Sequence, residues 1–187
     1  MIRLEEYIEQ GVMARKAIDT TKITKLAQNL SKAFKEGGKL ITFGNGGSAA
    51  DAQHFVGELD GHFTAERGAL PAIALSTNTS SMTAIGNDYS YEDIFSRPVS
   101  ALADKKDIVV GISTSGNSAN VVKAIKAAKE KGAYTVALTG RSGGKLRNTV
   151  DESFNVESDF TPIIQEIHIT IIHMICLELD KIANWQV

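Results

Sequence analysis

The chain has 187 residues, of which 43% are apolar and 22% charged, and its formal net charge is −2; these values suit one globular domain over residues 1–187 and argue against a nucleic-acid partner. Cys176 is the only cysteine, which excludes an internal disulfide and a cysteine-only zinc site. We expect no membrane partner and a cytoplasmic location, because no run of about 20 apolar residues and no signal-peptide core is found.

The predicted elements begin with two helices. Periodic apolar residues predict a helix over residues 3–17 and a second helix that ends at Gly37 and Gly38. Five short strands are predicted after them, at 39–43, 72–75, 107–112, 133–138 and 153–156. Helical stretches separate these strands, notably at 48–60, 117–131 and 162–183. The alternation predicts an α/β fold, a three-layer sandwich around a parallel sheet of about five strands, with residues 1–36 as extra N-terminal helices.

The last predicted helix carries apolar side chains on nearly every side between residues 163 and 182. A helix that is apolar all round is buried all round. Because a small α/β domain covers one side of an outer helix, this pattern favours a subunit interface. The alternative is a long helix that is unusually central within the fold.

A loop rich in hydroxyl groups follows the third strand and opens the next helix. It carries Ser113, Thr114, Ser115 and Ser118. Free backbone N–H groups and the helix dipole favour an anion at such a helix N-terminus. The loop lacks a lysine and the Gly-Lys-Ser/Thr signature, so it favours a sugar phosphate over a nucleotide. The alternative is an ordinary N-cap.

A second loop, Gly44-Asn45-Gly46-Gly47-Ser48, follows the first strand and also opens a helix. Glycines allow a ligand to approach the backbone closely, although a tight strand–helix turn would need them too. Ligands of parallel sheets bind at the carboxyl ends of the strands. The two loops are therefore predicted to form two walls of one pocket.

Candidate ligating and proton-transfer groups lie on two of the helices. His54 and Glu58 are spaced i, i+4, so they share one helix face and suit a divalent metal or an acid/base pair. Taken alone, a solvated ion pair is the alternative. Gln165 and His173 lie among the isoleucines of the final helix, where polar groups cost several kcal/mol unless partnered. They are eight residues apart, about 12 Å along a helix, which makes a shared metal difficult within one subunit.

Four segments, at residues 44–55, 86–89, 111–118 and 164–168, closely resemble the phosphoheptose (sedoheptulose 7-phosphate) isomerases, a family of the sugar isomerase (SIS) domain class. The resemblance extends over almost the whole chain. It implies a flavodoxin-like sandwich and a homotetramer with active sites at subunit contacts, to which residues 1–36 contribute.

The resemblance also implies the reaction and its cofactor. The reaction would convert D-sedoheptulose 7-phosphate to D-glycero-D-manno-heptose 7-phosphate through an enediol(ate), as the first step towards activated heptose for surface polysaccharide such as lipopolysaccharide. By motif position, Glu58 would be the general base and His173 the general acid. Zinc would be bound by His54, Glu58, Gln165 and His173. Substrate would be bound by Asn45, Gly46, Gly47, Ser48, Glu58, Asn87, Asp88, Ser113, Thr114, Ser115, Ser118 and Gln165.

One position departs from the family pattern. His62 stands where family members usually have an arginine available to the phosphate, and Arg67 is a nearby candidate to replace it. Two non-enzymatic alternatives share the SIS class: a scaffold that binds the replication initiator, and a sugar-phosphate-sensing domain. The scaffold branch lacks the base glutamate, and a sensor has no need of Glu58 and His173. The presence of Glu58 therefore favours the enzyme.

Overall fold

A five-stranded parallel sheet forms the centre of the computed structural model, which describes residues 2–182. The strands are β1 (Leu40–Gly44), β2 (Ala72–Ala74), β3 (Ile108–Ser113), β4 (Tyr134–Gly140) and β5 (Glu152–Val156). Their order is β2-β1-β3-β4-β5, and every neighbouring pair is parallel. This is the flavodoxin-like strand order. The α/β class and the parallel sheet of five strands are confirmed.

Helices cover both faces of the sheet. They are α1 (Leu4–Lys16), α2 (Thr20–Lys35), α3 (Gly47–Asp60), α4 (Thr79–Asp88), α5 (Ser96–Leu102), α6 (Ala119–Glu130), α7 (Gly144–Arg147) and α8 (Thr161–Ile182). Because successive strand side chains point to opposite faces, Leu40 packs with α2, α3 and α8 in one cluster, while Ile41 packs with α5 and α6 in another. The three-layer arrangement is therefore confirmed.

The predicted helices correspond to α1, α2, α3, α6 and α8, whereas α4, α5 and α7 were not predicted. None of the residues of α4 is buried, so it lacks the apolar stripe on which a helix prediction depends. Helix α6 begins at Ala119 rather than at 117, because Ser118 is its N-cap residue. The last position of the predicted final helix, 183, lies outside the described residues.

Helix α8 is partly covered within one chain. It packs against α1, α2, α3 and the sheet, and nine of its residues are buried. One chain therefore covers part of this helix, and the subunit interface stays a prediction. The sequence-based exclusion of any membrane-length apolar segment was too strict, since α8 is long and apolar enough to pass as a span. Half of that stretch is buried inside the protein.

Exposed apolar surface also lies on α1. No residue of α1 is buried, and Leu4, Ile8 and Met13 are more than 60% exposed. The other side of α1 is fixed to α8, where the Tyr7 hydroxyl donates to the Glu166 carboxylate and Arg15 donates to Thr170 Oγ1 at 2.9 Å. One chain thus leaves an apolar helix face open to solvent.

Candidate active site

The two predicted loops lie side by side at the carboxyl ends of β1 and β3. In the parallel register of these strands, Gly44 pairs with Ile112, so the turns that follow them are neighbours. Asn45 from the first loop and Asn120 from the start of α6 exchange two amide hydrogen bonds of 2.9 Å. The structure therefore brings the two predicted walls together, as the sequence indicated.

The turn between β1 and α3 requires glycine at several positions. Gly46 has φ +54°, a conformation that side chains rarely adopt. A Cβ on Gly47 would lie 2.3 Å from Nε2 of Gln165, and one on Gly44 would lie 2.7 Å from Cβ of Ser48. Gly47 and Gln165, both predicted to bind substrate, are thus in contact. Ser48 is buried beneath the turn, 4% exposed.

Three serine hydroxyls converge where β3 ends and the following loop begins. Ser113 Oγ lies 2.9 Å from Ser118 Oγ and 3.4 Å from Ser115 Oγ. Ser118 is the N-cap residue of α6, but its side chain makes no capping hydrogen bond. Its hydroxyl is directed at Ser113 instead, which disfavours the ordinary N-cap interpretation. The half-buried Thr114 lies in the same loop. Hydroxyl donors at a helix N-terminus suit a phosphate.

The loop is held from below by α7. Gly116 has φ +64°, and a Cβ there would lie 2.0 Å from the Gly143 carbonyl oxygen. The Leu146 N–H donates to the Gly116 carbonyl at 3.0 Å, and the Lys145 N–H donates to Asn117 Oδ1 at 3.0 Å. These contacts fix the backbone that carries the hydroxyls.

His54, Glu58 and His173 form a cluster of potential ligands. Their ligand atoms all lie within 4.8 Å of one another. His54 Nε2 is 2.8 Å from Glu58 Oε1 and 3.5 Å from His173 Nε2. Burial lowers the pKa of His173, and the nearby His54 lowers it further. A neutral imidazole is the form that can bind a metal.

The cluster fits a zinc ion. Imidazole nitrogens and carboxylate oxygens are zinc ligands, and two nitrogens at tetrahedral positions about 2.0–2.1 Å from zinc lie roughly 3.4 Å apart, close to the 3.5 Å between His54 and His173. The fourth predicted ligand, Gln165, contacts Gly47 instead, about 12 Å along α8 from His173. That Gln165 binds the same ion stays a prediction. The separation argues against it when both residues belong to one chain.

Asn87 and Asp88 end α4, are exposed and are hydrogen bonded to each other at 2.8 Å. They lie just before Tyr91, whose hydroxyl donates to Asn45 Oδ1 at 3.1 Å. Tyr91 and Asn120 are the two residues at this site that the sequence reasoning missed. Asn120 lies two residues after the serine loop, but nothing in the local sequence indicated that it reaches the other loop.

Arg67 does not replace the family arginine. Its side chain is 2% exposed and is paired with Asp180 at 3.0 Å. Its other donors bind the carbonyls of Leu59, Gly61, Gly68 and Glu58. This guanidinium is therefore committed to the interior. His62 itself is exposed, with Nε2 3.9 Å from Glu66 Oε2.

His168, the other histidine of α8, lies outside the cluster. It is fully buried, and its Nε2 lies 3.0 Å from the Thr139 carbonyl oxygen. Burial lowers its pKa to about 4. It is a neutral core residue that joins α8 to β4.

The chain is similar in sequence and in fold to known proteins. A family model described as a SIS domain matches residues 6–140. The probable phosphoheptose isomerase of Thermoplasma acidophilum is 60% identical over 177 residues, 95% of this chain and 97% of that protein. The structure of a phosphoheptose isomerase from Francisella tularensis aligns with a TM-score of 0.89 and 38% identity, and that from Neisseria gonorrhoeae with 0.86 and 44%. Each alignment covers 95% of this chain and 94% of the other.

Proposed function

The chain belongs to the SIS-domain family and, within it, to the phosphoheptose isomerases, and we propose that it converts D-sedoheptulose 7-phosphate to D-glycero-D-manno-heptose 7-phosphate. The single observation that carries the proposal is the placement of Glu58 with His54 and His173 in a chain 60% identical to a probable phosphoheptose isomerase. A non-enzymatic scaffold or a sugar-phosphate sensor would leave these proton-transfer groups without a task.

The serine loop is the proposed phosphate site. Ser113, Ser115 and Ser118 point their hydroxyls at one another at the N-terminus of α6, where the helix dipole favours an anion. Holding the phosphate fixes the far end of the substrate, which positions its reacting carbons. Asn45, Gly46, Gly47, Ser48, Asn87, Asp88, Thr114 and Gln165 are proposed to complete the substrate site.

Proton transfer is assigned to Glu58 and His173. The ketose has its carbonyl at C2 and two hydrogens on C1. Glu58 takes one C1 proton, and the C–H electron pair forms the C1=C2 double bond of an enediolate while the C2 carbonyl becomes an oxyanion. Glu58 then returns a proton to C2, and His173 moves the hydroxyl proton from O1 to O2. Oε1 of Glu58 lies 2.8 Å from His54 Nε2, on the side of the proposed zinc ligands, and Oε2 is therefore assigned to the carbon-bound proton.

Zinc is the proposed cofactor, held by His54, Glu58 and His173, with Gln165 as the predicted fourth ligand. When bound, it would supply a Lewis acid that stabilises negative charge on the substrate oxygen. Glu58 is thus assigned two roles, zinc ligand and general base. Variants of Glu58 distinguish these roles, because added zinc can compensate for a weakened metal site but not for a missing base.

The decisive experiment incubates the protein with sedoheptulose 7-phosphate in deuterated water and follows aldose formation and C1–H exchange by NMR. Glu58→Gln keeps the size of the side chain but cannot accept the C1 proton, so kcat is expected to fall by about 10²–10⁴-fold and exchange to stop. Glu66→Gln makes the same change at a site 87% exposed and serves as the control.

Three outcomes of that experiment are informative. Wild-type protein that leaves the ketose unchanged would refute the proposed function. If Glu58→Gln exchanges the C1 hydrogen at the wild-type rate, Glu58 is not the base. If excess zinc partly restores both exchange and turnover in Glu58→Gln, Glu58 acts as a metal ligand rather than as the base. Chelation is expected to lower wild-type activity, and added zinc to restore it.

We further propose that one SIS domain covers the whole chain and that the protein is a cytoplasmic homotetramer whose product enters activated-heptose synthesis for surface polysaccharide. The exposed apolar residues Leu4, Ile8 and Val12, four apart on α1, support subunit contacts through the N-terminal helices. Sedimentation at micromolar concentration tests the assembly, and a clean monomer would refute it.

A further inference from the structure

Two asparagines 75 residues apart in the chain form a closed pair of hydrogen bonds beside the proposed substrate site. Asn45 Nδ2 donates to Asn120 Oδ1, and Asn120 Nδ2 donates to Asn45 Oδ1, each at 2.9 Å. Asn45 belongs to the glycine turn after β1, and Asn120 to the first turn of α6. The pair therefore links the glycine turn to the helix that carries the serine loop.

The backbone of α6 determines which way the pair is oriented. The Val121 N–H donates to Asn120 Oδ1 at 2.9 Å, so Asn120 must place its oxygen on that side. Asn120 is 3% exposed. If its amide were turned the other way, the Nδ2 group would face the Val121 N–H, and two buried donors would lack acceptors. Its orientation then dictates that of Asn45, because the two amides must match donor to acceptor.

Tyr91 reinforces the same orientation from the solvent side. Its hydroxyl donates to Asn45 Oδ1 at 3.1 Å, and its side chain is exposed. The Asn45 oxygen thus accepts two hydrogen bonds, and one of its two amide hydrogens is used by Asn120. An amide nitrogen carries two hydrogens, so one N–H of Asn45 is left for a ligand.

We propose that Asn120, assisted by Tyr91, is a positioning residue that holds the Asn45 amide so that its remaining N–H is presented to an oxygen of the sugar phosphate. This inference rests on the proposed function, since it takes Asn45 to be a substrate-binding residue. Asn120 itself is buried and acts through Asn45. Without Asn120, the Asn45 amide can rotate and present its oxygen, which repels an oxygen of the substrate.

The test is a double-mutant cycle on isomerase kinetics. Asn120→Leu is uncharged and close in volume, and it removes both bonds to Asn45. We expect KM to rise by about three- to tenfold, the value of one neutral hydrogen bond, with kcat within about twofold of wild type, because the change leaves the proton-transfer groups Glu58 and His173 in place. In an Asn45→Ala background, Asn120→Leu should cause no further change in KM.

Two further variants separate positioning from a loss of structure. Tyr91→Phe removes one hydroxyl from an exposed residue, so it should have little effect on folding. It should raise KM by a smaller factor than Asn120→Leu does. Thr135→Val is the matched control, because Thr135 is fully buried and its hydroxyl donates to Asp151 at 2.7 Å near the opposite end of the sheet. It should lower stability and leave KM unchanged.

The outcomes distinguish this inference from the proposed function. If wild-type protein turns over sedoheptulose 7-phosphate but neither Asn120→Leu nor Tyr91→Phe raises KM, the inference is wrong and the function stands. An equal rise in KM with and without Asn45 also overturns it, since Asn120 would then act by another route. If the wild-type protein has no activity, the proposed function is refuted. The same double-mutant cycle, measured by unfolding, then tests the Asn45–Asn120 pair. We expect the effects of the two substitutions on the unfolding equilibrium constant to depart from additivity by about twofold or more.

Discussion

Removing the charge of Asp180 is expected to destabilise the fold severely, because this residue holds the buried guanidinium of Arg67. The two side chains are 4% and 2% exposed, and their charged atoms are 3.0 Å apart. Asp180 also accepts hydrogen bonds from the backbone N–H groups of Thr64 and Ala65 and from the Thr64 hydroxyl, at 2.8–2.9 Å. Asp180→Asn keeps the shape but places an amide NH₂ among these donors and leaves Arg67 without a countercharge.

The magnitude follows from that burial. Breaking a buried ion pair by removing one partner costs about 3–5 kcal/mol. For a chain of this length, each kcal/mol lowers the melting temperature by roughly 2–4 °C, so a fall of at least about 6 °C is expected. Calorimetry or denaturant unfolding at a fixed protein concentration measures it.

The control is the neighbouring ion pair between Lys181 and Glu178. The Lys181 side chain is 69% exposed, so Lys181→Met should change stability by less than about 1 kcal/mol. Arg67→Met combined with Asp180→Asn should cost less than the sum of the single changes, since the uncompensated charge is then gone. If Asp180→Asn costs no more than Lys181→Met, the reasoning that burial makes this pair essential is refuted.

Two further predictions concern pH and the phosphate site. The folded-state pKa of His168 is about 4, below the ordinary value of 6.5, so only the unfolded chain gains a proton there as pH falls. The contribution of neutral His168 to the free energy of unfolding is complete above pH 6.5. As pH falls to 4, the free energy of unfolding decreases by about 3 kcal/mol. Unfolding curves of His168→Gln should lack this component, and an unchanged pH slope would contradict the assignment. Ser118→Ala should raise KM about ten- to a hundredfold, the value of a hydrogen bond to a charged group; steady-state kinetics with an unchanged KM would place the phosphate elsewhere.

The sequence alone determined the features that depend on local spacing. Buried parallel strands appear as short apolar runs, and amphipathic helices show a period of 3.6 residues, so β1 to β5 and the five patterned helices could be identified. The i, i+4 spacing placed His54 and Glu58 on one face, and the glycine and serine turns marked the strand ends where a ligand binds. The resemblance of those same segments identified the family.

Only the tertiary structure decided which distant segments meet. His173 reaches His54 because α8 packs along α3, while Gln165, on the same helix, meets Gly47 instead. The burial of Arg67 depends on Asp180, 113 residues later in the chain. The pairing of Asn45 with Asn120 requires β1 and β3 to be neighbours in the sheet.

These contacts could not be read from the sequence for a physical reason. Helix and strand periodicity specify which face of an element is apolar, but they do not specify which element covers that face or at what register. The all-round apolar pattern of α8 therefore allowed either a partner subunit or the chain's own helices. Packing of α1, α2 and α3 against α8 buries nine of its residues, and the apolar face of α1 stays exposed within one chain.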